Sequence, residues 1–132
     1  MDVSPNLEGI ERFAFEPRRV EKPWGWELIW AETDDYVGKV LFVKAGESLS
    51  LQFHNVKDES WYVYEGRAEL EMGAPGDATP SSEVIGPGAA FRIRPGTVHR
   101  VAALDDTLIL EVSTPHLEDI VRLEDRYGRI GS

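Results

Sequence analysis

The sequence predicts an all-β fold, a sandwich or barrel of short antiparallel strands. Three observations carry that prediction. From Trp24 onward, runs rich in aromatic and β-branched residues recur roughly every 8–12 residues, the spacing of a sandwich or barrel. Gly, Pro and Asp clusters punctuate them: Ala45-Gly46, Glu65-Gly66, Gly86-Pro87-Gly88, Pro95-Gly96, Asp105-Asp106, and a longer Gly/Pro/Ser stretch over 73–82. The connections are short, whereas a parallel crossover needs about a dozen residues or more, so successive runs should pair antiparallel.

Taken in order, residues 1–19 are polar, with an acidic start and the Arg18-Arg19 pair, and read as a lead-in or arm. Residues 20–132 read as a single domain with a C-terminal tail. The strand runs are 24–30, 36–43 (closed by Ala45-Gly46), 48–54, 60–64 (closed by Glu65-Gly66), 67–72, 83–85, 90–93, 99–104 and 107–113. The tail over 116–127 differs: Leu117, Ile120, Val121 and Leu123 sit among charges at roughly helical spacing. It reads equally as a short helix packed on the barrel or as an extended arm.

Composition narrows the function. The chain has 132 residues, 14 Lys+Arg against 24 Asp+Glu, and a formal net charge of −10. That length suits one domain and buries a core without staples. The absence of cysteine excludes disulfides and thiolate zinc sites and leaves the cytoplasm as the default compartment. No apolar run approaches the roughly 20 residues of a spanning helix, and the start Met1-Asp2 lacks a basic-then-apolar leader, so neither membrane nor export is expected. An acidic chain lacks the Lys/Arg excess that neutralises nucleic-acid phosphates, so no nucleic-acid partner is expected; a small anion held by a few local cations is compatible.

The chemistry concentrates on few residues. In Leu49-Ser50-Leu51-Gln52-Phe53-His54, period-two geometry puts Gln52 and His54 on one face and Leu51 and Phe53 on the other. Two polar groups facing a dry core are costly, and a metal ion would satisfy both. Glu59 begins the next run and can sit opposite His54. His99 follows the turn at Pro95-Gly96 and also begins a run. Gln52, His54, Glu59 and His99 can therefore converge inside one barrel, although a lone strand histidine is ordinarily just hydrogen-bonded or exposed.

The spacing favours convergence. From Gly46 there are five residues to Gln52, one to His54, four to Glu59 and six to Gly66; later, Gly88 is followed by Arg94-Pro95-Gly96, two residues and His99. This resembles the two cupin motifs, G(X)5HXH(X)4E(X)6G and G(X)5PXG(X)2H(X)3N, with Gln52 in place of the first His, Arg94 in place of Pro and Ala103 in place of Asn. Lys22-Pro23-Trp24-Gly25-Trp26-Glu27, the stretch from Val43 to His54, Glu59-Ser60-Trp61 and the tail from Glu118 to Arg129 are similar to one cupin branch. That branch is the type II mannose-6-phosphate isomerases, usually the C-terminal half of a bifunctional isomerase/mannose-1-phosphate guanylyltransferase. Gln at the first ligand position is itself a feature of the branch. The branch's His cluster after the first ligands, and its His before the Trp, are replaced here by Asn55, Val56 and Ser60. The Gly-rich nucleotide-binding half is not in this sequence, so guanylyltransferase activity is not expected.

The resemblance implies a double-stranded β-helix, or jelly-roll barrel, and one divalent metal ion per chain held by Gln52, His54, Glu59 and His99. Zinc is the first choice, and manganese, iron, nickel or cobalt the alternatives, since these ligand types do not choose among them. It implies an aldose–ketose isomerase acting on a sugar phosphate through a metal-stabilised enediolate. Homodimers are common among cupins and one is expected. Glu111 is the candidate base; it could point inside with Ile109 or outside with Leu108 and Leu110, a solvated strand residue being the commoner case. Candidate substrate-binding residues are Lys39, which shares a face with Leu41 and Val43, Trp61 on the face of Glu59, and Arg129 in the tail. Arg100 should point away from His99, and Lys44, Arg92 and Arg122 read as solvated surface cations. Two alternatives stay open: an Fe(II) oxygenase-like cupin built on His54, Glu59 and His99, and a carbohydrate-binding cupin without chemistry.

Overall fold

A computed structural model describes residues 13–74 and 80–131. Among these, the strands are β1 (Arg18–Lys22), β2 (Gly25–Glu32), β3 (Val37–Val43), β4 (Leu51–Phe53), β5 (Glu59–Glu65), β6 (Ala68–Gly73), β7 (Ser81–Ile85), β8 (Ala90–Ile93), β9 (Val98–Ala103), β10 (Thr107–Ser113) and β11 (Val121–Glu124). They form a six-stranded sheet in the order β1-β2-β3-β10-β5-β8 and a five-stranded sheet in the order β11-β4-β9-β6-β7. Neighbouring strands run antiparallel, as the short connections require. No helix among the described residues is long and apolar enough to cross a membrane.

Strand alternation sorts side chains between the sheets. In β10, Thr107, Ile109, Glu111 and Ser113 are buried while Leu108, Leu110 and Val112 face outward. In β3, Val37, Lys39, Leu41 and Val43 are buried, and in β5 Glu59, Trp61 and Val63. Leu41, Val43, Trp61, Val63 and Ile109 meet Val101 of β9 and Ile93 of β8 in one core. Each fully buried Val or Ile of this set contributes about 1.5–3 kcal/mol. The polar members, Lys39, Glu59 and Glu111, stand in the same inward rows, so one end of the barrel interior is apolar core and the other a polar pocket.

Two glycines make close approaches that a side chain would block. Gly25, at φ 151°, opens β2 after the Pro23-Trp24 turn, and a Cβ there would lie 2.0 Å from Phe42 O. Gly66, at φ 96°, lets the β5–β6 turn pass against Asp106 and Thr107, where a Cβ would lie 2.3 Å from Asp106 O.

Two parts of the sequence reading change. The last residues of the 1–19 lead-in are not an arm but the start of β1, which pairs Arg18 with Ile29 and Arg19 with Leu28; residues 1–12 lie outside the described residues. The tail forms no helix: β11 adds to the five-stranded sheet beside β4, so the extended-arm alternative holds. Part of the Gly/Pro/Ser stretch, 75–79, also lies outside the described residues.

Candidate metal centre

Strand register assembles the site. Gln52 on β4 pairs with His99 on β9, so both side chains leave the same face of the five-stranded sheet. His54 lies two residues beyond Gln52 on that face, just past the end of β4. The chain then crosses to the other sheet, and Glu59 opens β5 opposite Ile93. His54, Glu59 and His99 each present one ligand atom, all within 4.8 Å of one another, and all three are buried. His54 Nε2 stands 3.0 Å from Glu59 Oε2. The two imidazoles lie 5.3 Å apart between ring centroids, and His99 meets the edge of Trp61 at 5.9 Å.

The hydrogen bonds of the rings decide what this group can hold. His99 Nδ1 lies 2.9 Å from Thr97 O, and His54 Nδ1 contacts Asp119 O. A carbonyl only accepts, so each Nδ1 carries a proton, and the neutral form of each ring leaves a lone pair on Nε2. With a neutral ring, His54 Nε2 and Glu59 Oε2 are two lone-pair atoms facing each other in a dry site; Nε2 has no hydrogen-bond partner, and Oε2 has only the Lys57 ammonium at 3.1 Å. A cation between them removes that cost, and backbone-anchored Nδ1–H groups are the usual support for metal-binding histidines. Burial pushes the His99 pKa down to about 4, so the ring is neutral at neutral pH. Burial acts to raise the Glu59 pKa, but the Lys57 ammonium opposes it and the carboxyl stays below its ordinary range. The donor set of two neutral imidazoles and one carboxylate fits a divalent transition ion. Gln52 is buried beside it; Ser50 Oγ donates to its Oε1 at 2.6 Å, and its Nε2 lies 3.5 Å from His99 Nε2. Presenting Oε1 to an ion requires that amide to turn over.

Glu111 points inward with Ile109 and is 3% exposed, so the solvated alternative is set aside. Register places it between Lys39 on β3 and Trp61 on β5. Trp61 Nε1 donates to Glu111 Oε1 at 3.2 Å. Lys57, buried in the link between His54 and Glu59, sets its ammonium 3.1 Å from Glu59 Oε2 and 3.3 Å from Glu111 Oε2. Its burial acts to lower its pKa; Glu111 and Glu59 reverse that and raise it, so Lys57 is charged.

Lys39, Trp61 and Arg129 all line the same pocket as the metal-type group. Lys39 is buried and pairs with Glu27 at 3.4 Å. Arg129 pairs with Asp125 at 2.8 Å. Arg100 turns away from His99 toward Glu71 and Glu124, as strand parity expects. Arg122 is a correction: it lines the pocket with its Nε buried, because β11 puts it in register with Gln52. Sequence reasoning missed Lys57, although a cation within a four-residue link joining two ligand-type residues cannot lie far from either. It also missed Asp119, whose carboxylate accepts from the amides of Asn55, Val56 and Lys57 at 3.0, 2.7 and 2.8 Å and so ties the tail to the link.

Similarity to known proteins gives the family and the fold. The profile of the family described as Mannose-6-phosphate isomerase C-terminal matches residues 12–125. The chain belongs to this family. A mannose-1-phosphate guanylyltransferase of Escherichia coli K12 is 34% identical over 118 residues, which is 86% of this chain and 23% of that relative. This isomerase-family domain thus spans under a quarter of the length of the curated relative. Among solved structures, KdgF from Halomonas sp. superposes with a TM-score of 0.63 at 24% identity, covering 78% of this chain and 94% of the other. A cupin superfamily protein from Desulfitobacterium hafniense DCB-2 does so with a TM-score of 0.57 at 15% identity, covering 67% and 74%. The fold is the cupin jelly roll, a double-stranded β-helix.

Proposed function

We propose that this mannose-6-phosphate isomerase-family domain is a metal-dependent aldose–ketose isomerase acting on a sugar phosphate of the mannose 6-phosphate type. The observation that carries the proposal is the pair of buried imidazoles, each tied through Nδ1 to a backbone carbonyl, that turn Nε2 toward the Glu59 carboxylate. His54, Glu59 and His99, with Gln52 beside them, would hold the ion. A divalent ion bound there supplies positive charge against the oxyanion that develops as the proton next to a carbonyl leaves.

The chain's own residues supply the rest. Glu111 is the carboxylate left to move a proton: Glu59 would be committed to the ion, whereas Glu111 has Oε1 steadied by Trp61 and Oε2 facing the Lys57 ammonium at 3.3 Å. In the open-chain aldose, Glu111 takes the proton from C2 and returns it to C1, while the hydroxyl proton on O2 passes to O1; the product is the ketose, with no atom gained or lost. The Lys57 ammonium beside Glu111 compensates its buried charge. Trp61 and Trp24, both buried in the pocket wall, keep water from the reacting carbons.

A coupled assay on protein loaded with Zn²⁺, Mn²⁺, Fe²⁺, Co²⁺ or Ni²⁺ tests this. Interconversion of mannose 6-phosphate and fructose 6-phosphate, with solvent deuterium appearing at the transferred hydrogen, is the expected result. No turnover above the metal-depleted control under any of these ions would overturn it.

A further inference from the structure

The polar pocket has a second end, rich in cations. Lys22 at the end of β1, Lys39 on β3, Arg122 on β11 and Arg129 beyond it all line it. The group is not screened by distance: Lys39, Arg122 and Arg129 act together on Lys22, and burial and Arg129 together push the Arg122 pKa down. Against these four cations stand two carboxylates among the described residues. Glu27 lies 3.4 Å from Lys39 and 3.9 Å from Lys22, and Asp125 pairs with Arg129. Two positive charges are left over at this end, and one over the whole pocket, where Lys57 alone faces Glu59 and Glu111, in a chain whose formal net charge is −10. A surplus of one sign in a low-dielectric pocket is unfavourable unless a ligand answers it.

Arg122 is the informative member. Its Cα pairs with that of Gln52, which in turn pairs with His99, so one inward row runs from the metal-type group to Arg122. No carboxylate among the described residues lies within ion-pair distance of it, and its Nε is buried without a hydrogen-bond partner. That is a desolvated donor on a permanently charged fork, the group that binds planar or tetrahedral oxyanions through two N–H bonds. Exposure orders the pocket: the side chains of His54 and Glu59 are 4% and 1% exposed, those of Lys22 and Arg129 27% and 26%. The cations therefore ring the mouth and the metal-type group lies at the floor.

We propose that Arg122, Lys22 and Arg129 form an anion subsite for a phosphate monoester dianion, with Arg122 as its principal donor, leaving the rest of the ligand to reach toward Glu59. A surplus of two charges at the mouth, away from Glu59 and Glu111, fits a dianion better than a carboxylate. Lys39, held by Glu27 and adjacent to Glu111, faces the sugar rather than the phosphate. The proposal rests on the isomerase reading only for the identity of the sugar.

Calorimetric titration of metal-depleted, full-length protein separates the two. The probes are inorganic phosphate, mannose 6-phosphate and mannose. Mannose 6-phosphate and phosphate should bind, more weakly as ionic strength rises, and mannose at least about tenfold more weakly than its phosphate. Arg122→Gln should weaken mannose 6-phosphate binding about ten- to a hundredfold, with metal content unchanged, and Arg122→Lys should restore part of it. Lys22→Gln, at a strand end, gives the same readout with a smaller loss should Arg122→Gln fold poorly. Equal affinity for mannose and mannose 6-phosphate, or wild-type affinity in the folded variants, overturns the subsite. Phosphate-dependent binding without turnover under any metal leaves the subsite standing and overturns the isomerase reading. Turnover with an unchanged KM in both Gln variants does the reverse.

Discussion

The ammonium of Lys57 lies 3.3 Å from Glu111 Oε2, inside the barrel and out of reach of solvent. The same nitrogen lies 3.1 Å from Glu59 Oε2, so one lysine compensates two buried carboxylates. Removing one partner from such a network leaves uncompensated buried charge, which costs about 3–5 kcal/mol. Lys57→Met should therefore lower the unfolding free energy of metal-depleted protein, read from urea unfolding, by that order. Adding Glu111→Gln to Lys57→Met should recover part of the loss, and a double variant no more stable than the single one would show that the charges are not coupled.

Glu111→Gln keeps the shape and the Trp61 contact but removes the proton acceptor. General-base contributions are about 10²–10⁴-fold, so kcat for isomerisation should fall by that order while bound metal stays stoichiometric. Metal analysis beside the kinetics separates a lost base from a damaged metal site.

His54→Ala and His99→Ala each remove a buried nitrogen donor and should abolish stoichiometric metal binding in elemental analysis of purified protein. Gln52→Ala should weaken binding less, because the amide is a neutral donor already engaged with Ser50. Retention of one ion per chain by both histidine variants would refute the proposed ligand set.

Asp119 should stabilise the link between His54 and Glu59. Partial burial acts to raise its pKa, but the amides of Lys57, Val56 and Asn55 bring it from 3.8 down to about 2. A folded value below the unfolded one means that the contribution is fully present above pH 3.8 and is lost as pH falls through about 2. Asp119→Ala should cost about 2 kcal/mol at pH 7, read from urea unfolding, with the gap to wild type narrowing as pH approaches 2.

Most strands were legible because their runs carry the period-two pattern and their turns carry Gly or Pro. β1 and β11 were not, and both are edge strands. An edge strand pairs on one side only and tolerates charge on its open side, so Arg18–Lys22 and Val121–Glu124 show no alternation strong enough to separate strand from arm. The same ambiguity hid Arg122. A cation on an unassigned tail reads as surface until the strand beside it is known, and only the β4–β11 register points it into the pocket. Lys57 was missed for a different reason: loop lysines are ordinarily solvated, and its burial depends on two carboxylates from separate strands arriving around it.

The sequence by itself determined the strand count to within two of the four edge strands, the four residues spaced for a metal, and the family, because spacing and turn chemistry are local properties of the chain. Tertiary structure alone decided which charges share the pocket, the inward turn of Glu111 and the orientation of the two imidazoles. Those depend on register between strands far apart in sequence and on backbone carbonyls supplied by the link before β9 and by the tail, neither of which a local pattern encodes.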